Sequence, residues 1–247
     1  MQAGTVYDDH GGFSGECSRG VMFSKFRLQF MRFFYHQLYH RFAWTYDLVS
    51  WTVSYGQWQQ WGRSVIPYLR GVRILELGYG PGYLQRDLHR QGIRPVGLDE
   101  SAQMAAISRK RIERVAAGKA RLVRGLAQAM PFAGETFDTI AATFPSEYLF
   151  MPETLAEVHR LLRPGGQLVV LAGVRIVSAS IPGRVLAGIY RITGQSPADE
   201  SIDAALQELF VQCGLSLKQK WIQGPLASLY LLAAEKEPAG GKGEQAV

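Results

Sequence analysis

The chain has 247 residues, 47% hydrophobic and 19% charged, which supports one domain with a sizeable core and excludes global disorder. A net charge of +6 permits anionic partners such as nucleic acid or a membrane surface without requiring them. Cys17 and Cys213 stand far apart and outside any Cys-x-x-Cys or Cys/His spacing. Neither a disulfide framework nor a zinc site is expected, and a reducing cytoplasm is the expected compartment. No basic patch leading into an apolar run follows Met1, and no charge-free apolar stretch of about 18 residues occurs, so neither a secretory signal nor a membrane span is expected.

Residues 1–20 are polar and glycine-rich and read as a loose segment. From Phe23 to Trp61 the composition turns aromatic and basic. Lys25, Gln29, Arg32, His36 and His40 fall on one helical stripe, and Phe23, Phe26, Phe30, Phe33, Leu38 and Phe42 fall off it, the pattern of an amphipathic helix. A second helical stretch is expected over Tyr46–Leu69, ending before Gly71, so that residues 21–70 form a helical cap.

Strands and helices then alternate. Strand Val72–Leu77 is followed by helix Leu84–Arg90, strand Pro95–Leu98 and a helix from Ser101, its N-cap, to about Ala117. Strands Arg121–Val123 and Phe137–Thr143 precede helix Pro152–Leu162, which Pro164-Gly165-Gly166 stops. Strands Gln167–Ala172, Leu215–Ile222 and Ser228–Ala234, with a helix at Ile202–Cys213, complete the series. The alternation predicts an α/β fold, a seven-stranded, mostly parallel sheet with helices on both faces. This core occupies residues 71–236, with an insert at 174–199, and residues 237–247 read as a disordered tail.

The first strand, Val72-Arg73-Ile74-Leu75-Glu76-Leu77, runs into Gly78-Tyr79-Gly80-Pro81-Gly82. Glycines at alternate positions let backbone approach a ligand without Cβ interference, and the following helix aims its free N–H groups at the same place. By itself the pattern reads as a nucleotide-like ligand at the end of the first strand, or as a glycine turn without a ligand. A dinucleotide fingerprint, G-x-G-x-x-G, begun at Gly78 requires glycine where Tyr83 stands, and begun at Gly80 requires it where Gln85 stands. Asp99, 21 residues after Gly78, suits a carboxylate that grips ribose hydroxyls, the alternative being a helix-start carboxylate.

Glu76 followed by the G-x-G-x-G spacing resembles the first motif of class I S-adenosylmethionine-dependent methyltransferases. Arg124-Gly125-Leu126-Ala127-Gln128-Ala129-Met130-Pro131-Phe132, then Phe137-Asp138, is similar to the adenine-lining stretch of type-11 methyltransferases. Glu157-Val158-His159-Arg160-Leu161-Leu162-Arg163-Pro164-Gly165-Gly166 resembles the same family's helix and turn before strand five. Upstream, Tyr46-Asp47-Leu48-Val49, Ser54-Tyr55-Gly56 and Trp58…Trp61 resemble the N-terminal segment of ubiquinone/menaquinone-biosynthesis methyltransferases.

This resemblance implies a Rossmann-like methyltransferase fold and the cofactor S-adenosylmethionine, released as S-adenosylhomocysteine. It places the loop of Gly78, Gly80 and Gly82 against the methionine portion, with Glu76 near its amino group. Asp99 takes the ribose, and Glu100, Met104, Leu126 and Ala127 surround the adenine. Tyr79 and Thr143 come near the sulfonium, and Tyr46 folds over the cofactor. Leu126 departs from the family, which usually carries an aspartate there for the adenine amino group. Packing and the Ala127 backbone are then left to hold the base.

Methyl transfer from a sulfonium is an in-line displacement on an activated donor, so positioning supplies most of the acceleration. A base is needed only where the acceptor must lose a proton, and His36, His40, His159, Tyr148 and Glu147 are the candidates. The sequence singles out none, so the catalytic residue stays unknown. His36 and His40 have no third ligand nearby and read as a solvated face rather than a metal pair, so no metal is expected. Thr143-Phe144-Pro145-Ser146 follows strand four in place of the Asn/Asp-Pro-Pro-aromatic arrangement of enzymes that methylate base amino groups, and DNA is not expected as a partner.

The aromatic cap and the apolar insert Ile181–Ile192 either close as a lid over the site or pack as plain core. The lid reading points to a small apolar or aromatic acceptor, quinone- or lipid-like. The alternatives are a polar metabolite or RNA as acceptor, and a cofactor-binding protein without catalysis. A cytoplasmic protein is expected, with residues 23–61 available for peripheral membrane contact.

Overall fold

The computed structural model describes residues 57–116, 119–176, 200–224 and 227–238. The cap up to residue 56, with Tyr46, His36 and His40, lies outside the described residues, as do the insert from 177 to 199 and the tail from 239.

Helix α1 (Trp58–Arg63) and a 3-10 turn (Ile66–Tyr68) stand where one helix was expected to run on to Leu69. Ser64 breaks it: its amide and its hydroxyl both donate to the Trp61 carbonyl, at 2.9 and 2.6 Å. Pro67 then lacks the amide that a continuing helix would use. Trp61 and Val65 are buried and fasten this segment to the core.

The remaining elements follow the expected order. They are β1 (Ile74–Leu77), α2 (Tyr83–Arg90), β2 (Val96–Asp99), α3 (Ala102–Glu113), β3 (Arg121–Arg124) and β4 (Phe137–Thr143). A second 3-10 turn (Glu147–Phe150) leads to α4 (Pro152–Leu161), β5 (Leu162–Ile176), α5 (Glu200–Gln212), β6 (Leu215–Gln223) and β7 (Ala227–Lys236). The sheet order is β3-β2-β1-β4-β5-β7-β6. Strands β1 to β5 pair in parallel and β7 runs antiparallel to both its neighbours. This is the seven-stranded, mostly parallel sheet that the alternation predicts.

Period-two alternation splits the core into two layers. Ile140, Ala142, Leu168 and Val170 join Leu155, Val158 and Phe210 on one face. Ala141, Val169 and Leu171 join Trp61, Val65, Leu84 and Leu88 on the other.

One boundary differs from expectation. Pro164-Gly165-Gly166 does not separate helix from strand but lies inside β5 as a bulge. Leu162 already pairs with Phe137, and the register then shifts so that Gln167 pairs with Thr139. Gly165 takes φ +75 in the bulge, which a residue with a Cβ adopts only under strain.

The chain steps outward from β1 to β3 and returns to β4 on the other side of β1. This topological switch opens a crevice at the carboxyl ends of the two central strands. Asp138 fixes where β1 begins. Its carboxylate accepts from the amides of Val72 and Arg73, both at 3.0 Å, and from Arg163 at 3.2 Å. Burial alone raises its pKa, but those partners outweigh it and hold the carboxyl below the ordinary range.

Asp138→Ala is expected to destabilise the fold by about 1–2 kcal/mol near neutral pH, the range of hydrogen bonds to a charged acceptor with partial exposure. The loss is full above the ordinary carboxylate pKa of 3.8 and fades as pH falls through the lower folded value. Urea unfolding at two pH values checks both the size and the sign.

Candidate functional site

Strand β1 is buried along its whole length, and Glu76 sits in register with Gly97 on one side and Ala141 on the other. A carboxyl group is thereby carried into the sheet centre, 1% exposed. Burial pushes its pKa up to about 8; the Gln85 amide opposes that rise and the charge of Asp99 adds to it. The oxygen Oε2 has no hydrogen-bond partner. An unpaired buried polar atom is unfavourable by about 1–3 kcal/mol, and more if charged.

Such atoms concentrate here. Among the described residues, the buried side-chain atoms without a partner are Glu76 Oε2, Tyr79 Oη, Gln85 Oε1, Ser108 Oγ and Thr154 Oγ1. Only Thr154, on α4, is remote from the glycine loop. Tyr79 and Gln85 both press on Gly97, and Ser108 presses on Gly82. The phenol of Tyr79 is pushed up to about 12, chiefly by burial and then by the Asp99 charge.

The loop itself is held from three sides. Gly78 N–H donates to the Leu98 carbonyl at 2.8 Å, and Gly82 N–H to the Tyr79 carbonyl at 2.9 Å. Gly80 N–H donates to Asp99 Oδ2 at 2.9 Å, while Asp99 Oδ1 accepts from Ser101 N–H at 2.9 Å. Asp99 therefore joins the loop to the start of α3, where Ser101 caps the Met104 amide. Gly78, at φ +64, has no room for a Cβ, because the hydroxyl of Tyr148 lies against it. Gly82, at φ +78, is the left-handed N-cap of α2.

The sequence-predicted residues gather along the carboxyl ends of β1 to β4. A cleft is lined by Glu76, Gly78, Tyr79 and Gly80 from β1 and its loop, and by Thr143 from β4. Beyond Asp99, Met104 is 1% exposed, Ala127 is buried, Glu100 is exposed, and Leu126 leaves 54% of its surface open. Among the described base candidates, only Tyr148 reaches the loop. Glu147 is exposed, and His159 packs against Gly214 on the α4 side, where burial lowers its pKa.

Several residues at or beside the cleft are not among the sequence-predicted site residues. Gln85 lies beside Leu84 on the inward face of α2, where a polar residue marks a buried polar partner. Asp87, 5% exposed, accepts from Arg63 at 2.7 Å and from Arg86 at 2.8 Å, joining α1 to α2. Burial raises its pKa, but the two guanidinium groups prevail and keep it low. Trp58 and Phe144 line the same cleft with rings 4.2 Å apart.

Residues 75–170 match the model of a family described as a methyltransferase domain. Its first relatives include a demethylmenaquinone methyltransferase of Tropheryma whipplei, 31% identical over 63% of each chain. A ubiquinone/menaquinone biosynthesis C-methyltransferase of Paracoccus denitrificans is 36% identical over 55% of this chain and 57% of its own. The chain thus spans less than two thirds of the length of these relatives. The fold resembles phosphoethanolamine N-methyltransferase 2 of Haemonchus contortus, with a TM-score of 0.53 at 14% identity, over 74% of this chain and 53% of that one.

The fold thus holds its buried carboxyl at a loss to stability. With the folded pKa near 8 and the ordinary value at 4.5, the unfolded chain releases the Glu76 proton first as pH rises. Stability therefore falls across that window. Glu76→Gln, which does not titrate, is expected to melt at a higher temperature than the wild type near pH 8 and at the same temperature near pH 4. Thermal unfolding of both proteins across this range checks the trend.

Proposed function

We propose that the chain is an S-adenosylmethionine-dependent methyltransferase acting on a small apolar or aromatic acceptor of quinone type. The observation that carries this reading is the dry, unpartnered oxygen of Glu76 at the glycine loop. An amino group seated beside it supplies the missing hydrogen bond and a positive charge at once, which the cofactor's methionine end offers. The neighbouring residues suit the rest of that molecule. Backbone at Gly78 and Gly80 allows close approach to its chain, and Asp99, which accepts from the Gly80 and Ser101 amides, presents a carboxylate suited to ribose hydroxyls. Met104 and Ala127, with the open face of Leu126, offer an apolar slot for adenine.

The bound cofactor supplies a methyl group on a positively charged sulfur, which departs as a neutral thioether when the methyl passes to a nucleophile. The chain's own part is then to hold and orient. Glu76 fixes one end of the donor, Asp99 its middle, and Thr143 with the cleft wall faces the acceptor. Positioning of this kind is worth several kcal/mol without any group changing its protonation.

The names of the relatives support a quinone-type ring as acceptor, and the aromatic cleft residues Trp58 and Phe144 agree with it. In this reading residues 71–236 are the catalytic core and residues 21–70 its cap. Among the described residues no helix is long and apolar enough to cross a membrane. A cytoplasmic enzyme that touches the membrane surface through residues 23–61 fits an apolar acceptor.

Isothermal calorimetry on the full chain tests the cofactor. S-adenosylhomocysteine is expected to bind and NAD is not. Asp99→Ala should weaken binding by about 2–4 kcal/mol, the worth of two hydrogen bonds to a charged acceptor. Binding of NAD alone, or unchanged affinity in Asp99→Ala, overturns the reading.

A further inference from the structure

The segment from Gly125 to Thr136 joins β3 to β4 without helix or strand of its own. Its backbone amides and carbonyls therefore need partners elsewhere. At one end the Gly125 amide donates to the Asp99 carbonyl at 3.2 Å. At the other the amides of Glu135 and Thr136 donate to the carbonyls of Arg160 and Leu161, both at 2.9 Å. Between these ends, among the described residues, the backbone bonds that leave the segment go to two side chains of α4, Glu157 and Arg160.

Together the two side chains make a clamp. Glu157 Oε2 accepts from the Met130 amide at 2.8 Å, and Arg160 donates to the carbonyls of Met130 and Phe132 at 3.1 and 2.9 Å. The guanidinium also donates to both oxygens of Glu157, at 2.6 and 2.8 Å, so each side chain holds the other. Arg160 foremost, with the Met130 amide, keeps the Glu157 carboxyl below its ordinary range against the effect of burial. Reaching two carbonyls and a carboxylate at once takes a planar fork of donors, which arginine has and lysine lacks.

Apolar contacts already keep the segment on the core. Met130 is buried among the residues of the α4 face, and Phe132 meets Phe137 edge-on with ring centroids 5.3 Å apart. Such burial is non-directional, so it fixes where the backbone sits more firmly than where its polar groups point. The hydrogen bonds to both the amide and the carbonyl of Met130 supply that direction. Ala127 lies three residues upstream, in a turn closed by the Ala129 amide on the Leu126 carbonyl at 3.2 Å.

We propose that Glu157 and Arg160 are positioning residues that orient the Ala127 backbone from α4 and so set selectivity for the cofactor's base. This rests on the methyltransferase reading given above. Leu126 offers the base no polar group, so the Ala127 backbone is left to tell an amino group on the ring from a carbonyl oxygen. It can do so only while its direction is fixed, because hydrogen bonds weaken steeply with misalignment.

The probes are S-adenosylhomocysteine and S-inosylhomocysteine, which carries oxygen in place of the amino group, each titrated calorimetrically into the full chain. The wild type should prefer the adenine compound by about tenfold or more, the worth of one hydrogen bond gained or left unmade. Glu157→Ala and Arg160→Ala should lose about tenfold in affinity for it and less than about threefold for the inosine compound, so the preference collapses. Glu157→Gln, which keeps an acceptor for the Met130 amide, should restore most of the preference. Arg160→Lys, which cannot span both carbonyls, carries the same expectation as Arg160→Ala where an alanine variant does not fold. A preference unchanged in the alanine and lysine variants, with only the unfolding temperature lowered, makes the pair plain structure and overturns the proposal. So does an equal loss of both compounds. A wild type that binds both equally overturns the selectivity and leaves the cofactor reading standing, whereas failure to bind either overturns both.

Discussion

A carboxyl group buried in the middle of a parallel sheet is the constraint around which the site is arranged. Glu76 occupies a strand position at which every neighbour in β1 is apolar, and its two flanking strands leave it no water. An isolated charge there is strongly disfavoured, so the free protein keeps the group protonated across the neutral range. A positively charged partner reverses that preference. In the proposed function, the destabilisation carried by the buried carboxyl becomes part of the affinity for a cationic ligand.

The rest of the crevice follows from topology. The reversal of strand order between β1 and β4 brings the glycine loop, Asp99 and Thr143 to one edge of the sheet, although they are spread over more than sixty residues. Asp99 links the loop to α3, and the charged cluster around Asp87 links α2 to α1. The two aromatic rings then enter from opposite sides, one on α1 and the other thrown across by the left-handed backbone at Phe144. Rigid elements thus set the carboxylate and glycine-loop side of the crevice, and short irregular segments set its aromatic side.

Much of this was legible in residue order. The strand-loop-helix rhythm, the N-cap at Ser101 and the spacing of Glu76, the glycines and Asp99 are local signals, and each is realised within a residue or two. Illegible features depend on distant partners. Pro164-Gly165-Gly166 is as good a turn as a bulge until Leu162 finds Phe137. Nothing local to Asp87 tells that two arginines will converge on it, and a phenylalanine carries no mark of a positive φ. Tyr148 was one base candidate among five, and only the 3-10 turn after β4 brings its hydroxyl to Gly78.

The buried carboxyl is tested most directly by carbon-detected NMR of protein labelled at the glutamate side-chain carboxyl carbon, titrated with and without S-adenosylhomocysteine. One glutamate, absent from the spectrum of Glu76→Gln, should titrate near pH 8 in the free protein. On addition of the ligand the same resonance should move to the ionised position and stay there down to well below neutral pH. A Glu76 resonance that titrates near its ordinary value of 4.5 in the free protein, or one that the ligand leaves unmoved, would contradict a carboxyl held in reserve for a cationic partner.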